Sequence, residues 1–90
     1  MSVKVNIDPA LQHLTGDQPR VEVNGVTVGE CLEHLIKQFP SLERWLLDSQ
    51  GNLRDLVDVF VNRVSSFPEE LGKPVKDGDE LHIITIIAGG

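Results

Sequence analysis

TVGECLEHLIKQFP, Thr27 to Pro40, is the segment that decides the fold of this chain of 90 residues. Its start fits a capping box, in which the Thr27 hydroxyl accepts a hydrogen bond from the Glu30 amide and the Glu30 carboxylate bonds back to the backbone. Pro40 cannot continue a helix. Between them, apolar residues recur at helical spacing, at Val28, Cys31, Leu32, Leu35, Ile36 and Phe39. The segment therefore predicts one amphipathic helix, whose apolar stripe must be buried against another element.

Alternating apolar and polar residues predict strands on both sides of this helix. Before the helix the alternation occupies residues 3–7 and 21–23. After it, the alternation returns at residues 57–61 and, behind a DGD turn, an apolar run occupies residues 81–87. Residues 64–76 contain two prolines and a glycine, and we expect one short edge strand there.

Two short helical segments complete the predicted elements. Asp8 is placed to cap a single turn that begins at Pro9 and is closed by Gly16. Residues 41–47 predict a second short helical segment. There we expect Trp45 and the two leucines after it to form a satellite of the core, with an aromatic anchor for a partner as the alternative.

The order of elements is strand, strand, helix, strand, short strand, strand. Since the chain has a single long helix, we predict a twisted mixed sheet of four to five strands that packs against that helix, an α+β roll. Residues 1–90 then form one domain with one core. The first and last strands are expected to lie centrally and parallel, which carries the end of the chain to an open edge of the sheet.

Composition narrows the class of protein. The chain is 40% hydrophobic and 24% charged, which is typical of a globular protein. Its net charge of −6 argues against nucleic acid as a partner and suits a basic protein partner, although it serves solubility equally well. No apolar run reaches the ~20 residues of a membrane span, and the N-terminus lacks the core of a signal peptide. We expect a cytoplasmic protein without membrane association, monomeric when free.

The last stretch, HIITIIAGG, carries the strongest indication of function. An apolar strand that leads directly into Ala88, Gly89 and Gly90 is aimed by the sheet, and its small residues can enter a narrow site. The α-carboxylate of Gly90 is ionised at neutral pH and is a poor electrophile. Adenylation converts such a group into an acyl-phosphate anhydride, which a sulfur or amine nucleophile can open. Gly90 is therefore the predicted reactive residue, with Ala88 and Gly89 as its tail.

A docking surface is predicted beside this tail. If the valines of residues 57–61 point inward, Phe60 points outward. If Leu81 and Ile83 point inward, the side chains that alternate with them, His82, Ile84 and Ile86, point outward. Phe60, His82, Ile84 and Ile86 are thus expected to form an apolar partner-binding patch. The alternative is that a loop covers it.

The cysteine and histidine residues of the chain are not predicted to have chemical roles. Cys31 lies on the apolar stripe, where a free cysteine is usually a small core residue. Cys31 and His34 are three positions apart on one helix, but two ligands do not complete a metal site, and no metal or bound cofactor is predicted. No nucleophile–base set can be assembled either. The chain is expected to be a substrate or subunit of partner enzymes and not itself an enzyme.

The sequence resembles the ubiquitin-like sulfur-carrier family, the ThiS/MoaD group. The resemblance rests on TVGECLEHL at residues 27–35, LRDLVDVFVN at 53–62, VKDGDELHII at 75–84 and AGG at 88–90. The opening VKVNIDPALQHLTG is closer to carriers of cysteine-type synthesis than to the small subunit of molybdopterin synthase. One departure is Arg63, where relatives often have glycine, which leaves the geometry of that turn open.

The resemblance implies a β-grasp fold and a function for Gly90. An activating adenylyltransferase of the ubiquitin-activating type would use ATP to adenylate it. A cysteine desulfurase or rhodanese would then supply sulfur, and the resulting thiocarboxylate would serve an acceptor synthase. Molybdopterin, thiamine, cysteine and methionine synthesis, thiolated metabolites and tRNA thiolation all remain open as pathways. A protein modifier joined through Gly90 to lysines, and a β-grasp binding module, are the alternatives.

Overall fold

Five strands and two α-helices make up the described part of the chain, residues 2–85 of a computed structural model. The strands are β1 (Ser2–Asn6), β2 (Arg20–Asn24), β3 (Val57–Val61), β4 (Val64–Ser65) and β5 (Glu80–Thr85). The helices are α1 (Val28–Gln38) and α2 (Glu43–Leu46), with 3-10 turns at Pro9–Leu14, Pro40–Leu42 and Glu70–Gly72. Each predicted element is present, and the part of the last strand predicted beyond Thr85 lies outside the described residues.

The strands form one mixed sheet in the order β2-β1-β5-β3-β4. β1 and β5 run parallel, with Val5 opposite Leu81, and the other neighbouring pairs are antiparallel. β5 is thus the middle strand, as predicted. The mixed α+β architecture expected from the sequence is confirmed.

The core lies between this sheet and α1. Leu32 and Leu35 of α1 are buried in one cluster with inward residues of the sheet, including Val3, Val59 and Leu81. The alternation of buried and half-buried residues along β3 matches the predicted inward and outward sets. One face of the sheet is therefore occupied by α1, and the opposite face is available for other contacts.

The start of α1 differs from the prediction in one detail. The Thr27 hydroxyl accepts a hydrogen bond from the Glu30 amide at 3.1 Å, as a capping box requires. The Glu30 carboxylate, however, accepts from the Val26 amide at 2.9 Å, whereas a capping box uses the amide of the N-cap residue, here Thr27. The chain reaches this cap through Gly25, where a Cβ would lie 2.8 Å from the Cys31 backbone nitrogen. Only glycine permits that close approach.

Trp45 corrects one expectation about the core. Of the three residues predicted to form its satellite, Leu46 is fully buried and Leu47 packs against the core. Trp45 itself is 43% exposed. The helix α2 is a single turn, so its three consecutive side chains point in different directions and cannot all face inward.

The β3–β4 hairpin keeps a tight turn although Arg63 stands where the resemblance led us to expect glycine. Val61 pairs with Val64, leaving a two-residue loop. Asn62 and Arg63 have φ of 48° and 73°, the left-handed values at both central positions of a type I′ turn. The departure at Arg63 therefore changes the conformational cost of the turn and not its geometry.

Replacing Arg63 by glycine is expected to stabilise the protein by about 0.5–1 kcal/mol. A side chain at positive φ costs ~1–2 kcal/mol, part of which the greater freedom of glycine in the unfolded chain offsets. Urea unfolding of Arg63→Gly and Arg63→Ala measures this. Arg63→Ala removes the charge but keeps the Cβ, so an equal gain in both variants would contradict the strain argument.

Leu35→Ala is expected to cost about 2–5 kcal/mol of unfolding free energy, because it opens a cavity in the core. Leu35 is fully buried, whereas Leu56 is 50% exposed. Leu56→Ala makes the same chemical change at the surface and is the matched control in guanidinium unfolding. Similar losses in the two variants would show that the core does not depend on α1 as described.

Candidate functional site

The predicted docking residues lie together on the sheet face opposite α1. Phe60 pairs with His82 across the β3–β5 ladder, and Asp58 pairs with Ile84. Phe60 and His82 are half-buried, and Ile84 is 45% exposed. With Arg63 they line a shallow depression of about 380 Å³. We call Phe60, His82 and Ile84 the outer patch; Ile86, predicted to belong to it, lies outside the described residues.

The rest of this sheet face is polar. Along β1 and β2 the outward residues include Lys4, Asn6, Arg20 and Glu22. Arg20 donates from Nε to the Asn6 carboxamide oxygen at 3.0 Å, and its guanidinium lies 3.4 Å from the Glu80 carboxylate. The apolar surface is thus confined to the β3–β5 half, and ionic and polar contacts border it. Such a border is typical of a protein-binding surface.

The DGDE motif holds the start of β5. The Asp77 carboxylate accepts from the Ser2 amide at 2.7 Å, and Gly78 takes φ +87° in the turn. The Asp79 carboxylate accepts from the Lys76 amide and from the Asn62 side chain, each at 2.8 Å. These hydrogen bonds, that from Asn62 first, lower the pKa of Asp79. The motif that carried much of the resemblance is therefore a structural anchor for β5.

Asp8 holds the other end of β5. Its carboxylate accepts from the Thr85 amide at 2.8 Å, from the Thr85 hydroxyl at 3.3 Å, and from the Ala10 amide at 2.9 Å. The β1 pairing with β5 reaches only as far as Asn6 and His82. Asp8 thus supplies an acceptor to β5 where the β1 ladder has ended. The sequence indicated the cap on the 3-10 turn, but not the contact with Thr85, which lies 77 positions away.

The same contacts shift the pKa of Asp8. Partial burial by itself raises this pKa, but the hydrogen bonds from Thr85 and Ala10 outweigh burial and hold it below its ordinary value. The ionised form is therefore the one that the folded protein stabilises.

Cys31 and the histidines do not form a reactive centre among residues 2–85. Cys31 is fully buried in the core, as expected, and burial followed by the nearby Glu30 charge raises the pKa of its thiol to about 11. His34 accepts a hydrogen bond from the Asn24 amide at Nδ1, 2.8 Å away. Within residues 2–85, no three His, Cys, Asp or Glu side chains lie close enough together to hold a metal ion. In the same range, every helix is too short or too polar to cross a bilayer.

The predicted reactive tail, Ala88, Gly89 and Gly90, lies outside the described residues. The structure does describe the strand that leads to it. β5 is paired on both edges, anchored by DGDE at its start and bonded to Asp8 at Thr85.

Comparison with known proteins agrees with this architecture. Residues 9–90 match the model of the ThiS family. The chain belongs to the ThiS family. The resemblance to ubiquitin-like sulfur carriers inferred from the sequence is thereby confirmed.

Individual relatives cover the whole chain or most of it. The sulfur carrier protein CysO of Mycobacterium tuberculosis is 32% identical over 93 residues, covering 100% of both chains. The small archaeal modifier protein 1 of Haloferax volcanii is 35% identical over 72 residues, which is 79% of each chain.

Solved structures of such relatives share the β-grasp fold. A chain from the BexX/CysO complex of Amycolatopsis orientalis is 32% identical and superposes with a TM-score of 0.89 over 98% of this chain and 99% of that one. The structure of the Haloferax volcanii modifier superposes with a TM-score of 0.87, with all of both chains covered at 28% identity.

Removal of the Asp8 carboxylate is expected to expose the Thr85 amide to hydrogen exchange. Because its folded pKa is lowered, Asp8 contributes stability above its unfolded pKa of ~3.9 and loses it as the pH falls through the folded value. Amide exchange and the amide proton shift of Thr85, followed by NMR from pH 6 down to about pH 2, measure both effects.

Asp48→Ala is the matched control for Asp8→Ala. Asp48 also accepts from two backbone amides, those of Gln50 and Asn52, but both donors lie in its own loop and not in β5. Unchanged Thr85 exchange in Asp8→Ala, or equal acceleration in the control, would contradict a local role for Asp8.

Proposed function

We propose that this protein is a sulfur carrier that works through the C-terminal carboxylate of Gly90. The observation that carries the proposal is the 32% identity to the sulfur carrier protein CysO across the whole of both chains. In this proposal the protein supplies the carboxylate, and partner enzymes supply catalysis.

The proposed reaction has two stages. In the first, the Gly90 carboxylate attacks the α-phosphorus of ATP on an activating adenylyltransferase, pyrophosphate leaves, and an acyl adenylate forms. In the second, the terminal sulfur of a persulfide on a cysteine desulfurase or rhodanese attacks the acyl carbon, and AMP leaves. To complete the second stage, a further thiol attacks the cysteine sulfur of this acyl disulfide, forms a disulfide with that cysteine, and releases the thiocarboxylate for an acceptor synthase.

The described residues contribute presentation and docking to this scheme. β5 is held at both ends, so Thr85 has a defined position relative to the core. The outer patch lies on the same strand, at His82 and Ile84, with Phe60 beside it. A partner that docks on the outer patch therefore contacts β5, the strand that precedes the proposed reactive residue Gly90 in the sequence. A relative in complex with another protein, CysO with BexX, supports a function carried out through partners.

A protein modifier is the second candidate, and the 35% identity to the small archaeal modifier protein 1 favours it. Activation of Gly90 is the same in both cases. The difference lies in the nucleophile, because a lysine amine of a target protein then opens the acyl adenylate in place of sulfur.

Incubation with the activating enzyme, ATP and a sulfur source is expected to raise the intact mass by the replacement of one oxygen by one sulfur. Mass spectrometry of the whole protein measures this change. A version extended by one residue after Gly90 is the control, since it offers no carboxylate at that position. An unchanged mass with active partners would overturn the carrier proposal.

Deletion of Gly90 is expected to abolish both thiocarboxylate formation and conjugation. Adducts of high mass that survive reducing denaturing gels and carry a Gly-Gly remnant on lysine would identify the modifier. If the deletion variant supports the pathway normally, the protein acts as a β-grasp binding module and Gly90 is incidental.

Ile84→Asp is expected to raise the KM for the carrier in adenylation about tenfold or more, because a charged group replaces an interface anchor. Unfolding should change little, since Ile84 is 45% exposed. Pyrophosphate exchange at varied carrier concentration measures the KM. Asn24→Asp adds the same charge on the polar half of the sheet face and should leave the KM unchanged. An unfolded Ile84→Asp variant would contradict its outward placement, and an equal KM effect in both variants would contradict the outer patch.

A further inference from the structure

A second depression, of about 360 Å³, adjoins the outer patch on its β4 side. Its apolar lining includes Leu56, Phe67 and Ile84, and its acidic lining consists of Asp55, Asp58 and Glu70. We call these six residues the acidic groove. None of its members other than Ile84 was indicated by the sequence as part of a site.

The apolar side of the acidic groove is unusually open. Phe67 is 71% exposed, and Leu56 and Ile84 are about half exposed. Isolated exposed apolar side chains are common on protein surfaces, but several around one depression mark an interaction site. Covering them gains about 25 cal/mol for each Å² of apolar surface removed from water. The groove is therefore suited to an apolar side chain of a partner.

No carboxylate of the acidic groove takes part in an ion pair within residues 2–85. Asp58 accepts a hydrogen bond from the Ser65 hydroxyl at 2.8 Å. Asp55 and Glu70 make no ion pair in that range, where the nearest one along the chain joins Lys73 to Glu69 at 3.9 Å. Three carboxylates around one depression therefore produce a local negative potential.

The combination of negative charge and apolar surface determines which kind of partner the acidic groove can bind. Nucleic acid and anionic membranes are repelled by the same potential. A second copy of this chain brings its own net charge of −6 and the same acidic groove. A protein segment in which lysine or arginine flanks an apolar side chain can pair with the carboxylates of the groove and cover its apolar residues.

We propose that the acidic groove binds such a basic, apolar segment of a partner protein. The neighbouring outer patch differs in charge, since the Arg63 guanidinium lines its depression. Phe60 and Ile84 line both depressions, so the two surfaces are continuous. A partner that spans both meets opposite charge at the two ends, and this asymmetry fixes the orientation in which it docks. The inference does not depend on sulfur chemistry at Gly90.

NMR titration of the ¹⁵N-labelled full chain with a short synthetic peptide of leucine and arginine tests the proposal. We expect shift changes centred on Leu56, Phe67 and Glu70, weakening as salt is raised. A matched peptide with glutamate in place of arginine should not bind. Equal binding of the acidic peptide, or shifts centred elsewhere, would overturn the proposal.

Charge-reversal variants make the test site-specific. Asp55→Lys with Glu70→Lys should weaken peptide binding tenfold or more. Glu33→Lys with Glu43→Lys makes the same change in net charge beside another depression, lined by α1 and α2, and should leave binding within about twofold. Equal losses in the two pairs would reduce the effect to overall charge and refute the acidic groove. If the lysine pair fails to fold, Asp55→Asn with Glu70→Gln replaces it, with the same expected direction.

Discussion

The position of β5 in the middle of the sheet is the constraint on which the rest of the structure depends. β1 pairs with one edge of β5 and β3 with the other, and its inward side chains enter the core beneath α1. The DGDE turn holds its start, and Asp8 holds Thr85. A strand bonded on both edges cannot slip by one residue without exchanging its inner and outer side chains. The outward placement of His82 and Ile84 therefore follows from the same pairing that builds the core.

The two faces of the sheet have different roles, because α1 packs on only one of them. The covered face supplies stability through the buried leucines and valines of the core. The open face is divided again, into a polar half on β1 and β2 and an apolar half on β3 and β5. A domain of this size has room for a single core. The function that we propose accordingly uses Gly90 for chemistry and the open face of the sheet for specificity. Membership of the ThiS family accords with that division.

How far the sequence predicted the structure depends on the range of each interaction. The capping box at Thr27 and the strand alternation were predictable, since each involves residues close together in the chain. Even so, Glu30 bonds to Val26 and not to Thr27, because Gly25 brings the preceding chain unusually close to α1. The apolar character of Trp45 predicts a place in a satellite of the core, but the geometry of a single helical turn leaves it exposed. The outer patch was predictable only because strand alternation has a period of two.

The sequence by itself determined the elements, their order, the inward and outward residues of β3 and β5, and membership of the family, because all of these are written in local periodicity and motifs. Tertiary structure alone decided which distant residues meet. Asp8 reaches Thr85 and Asn62 reaches Asp79 only after β1, β3 and β5 have come together. The acidic groove likewise forms where the start of β3 meets the segment after β4 and the end of β5. Helical and strand periodicity cannot predict these long-range contacts. The sequence separation of two contacting residues is set by sheet topology and not by the repeat of a helix or a strand.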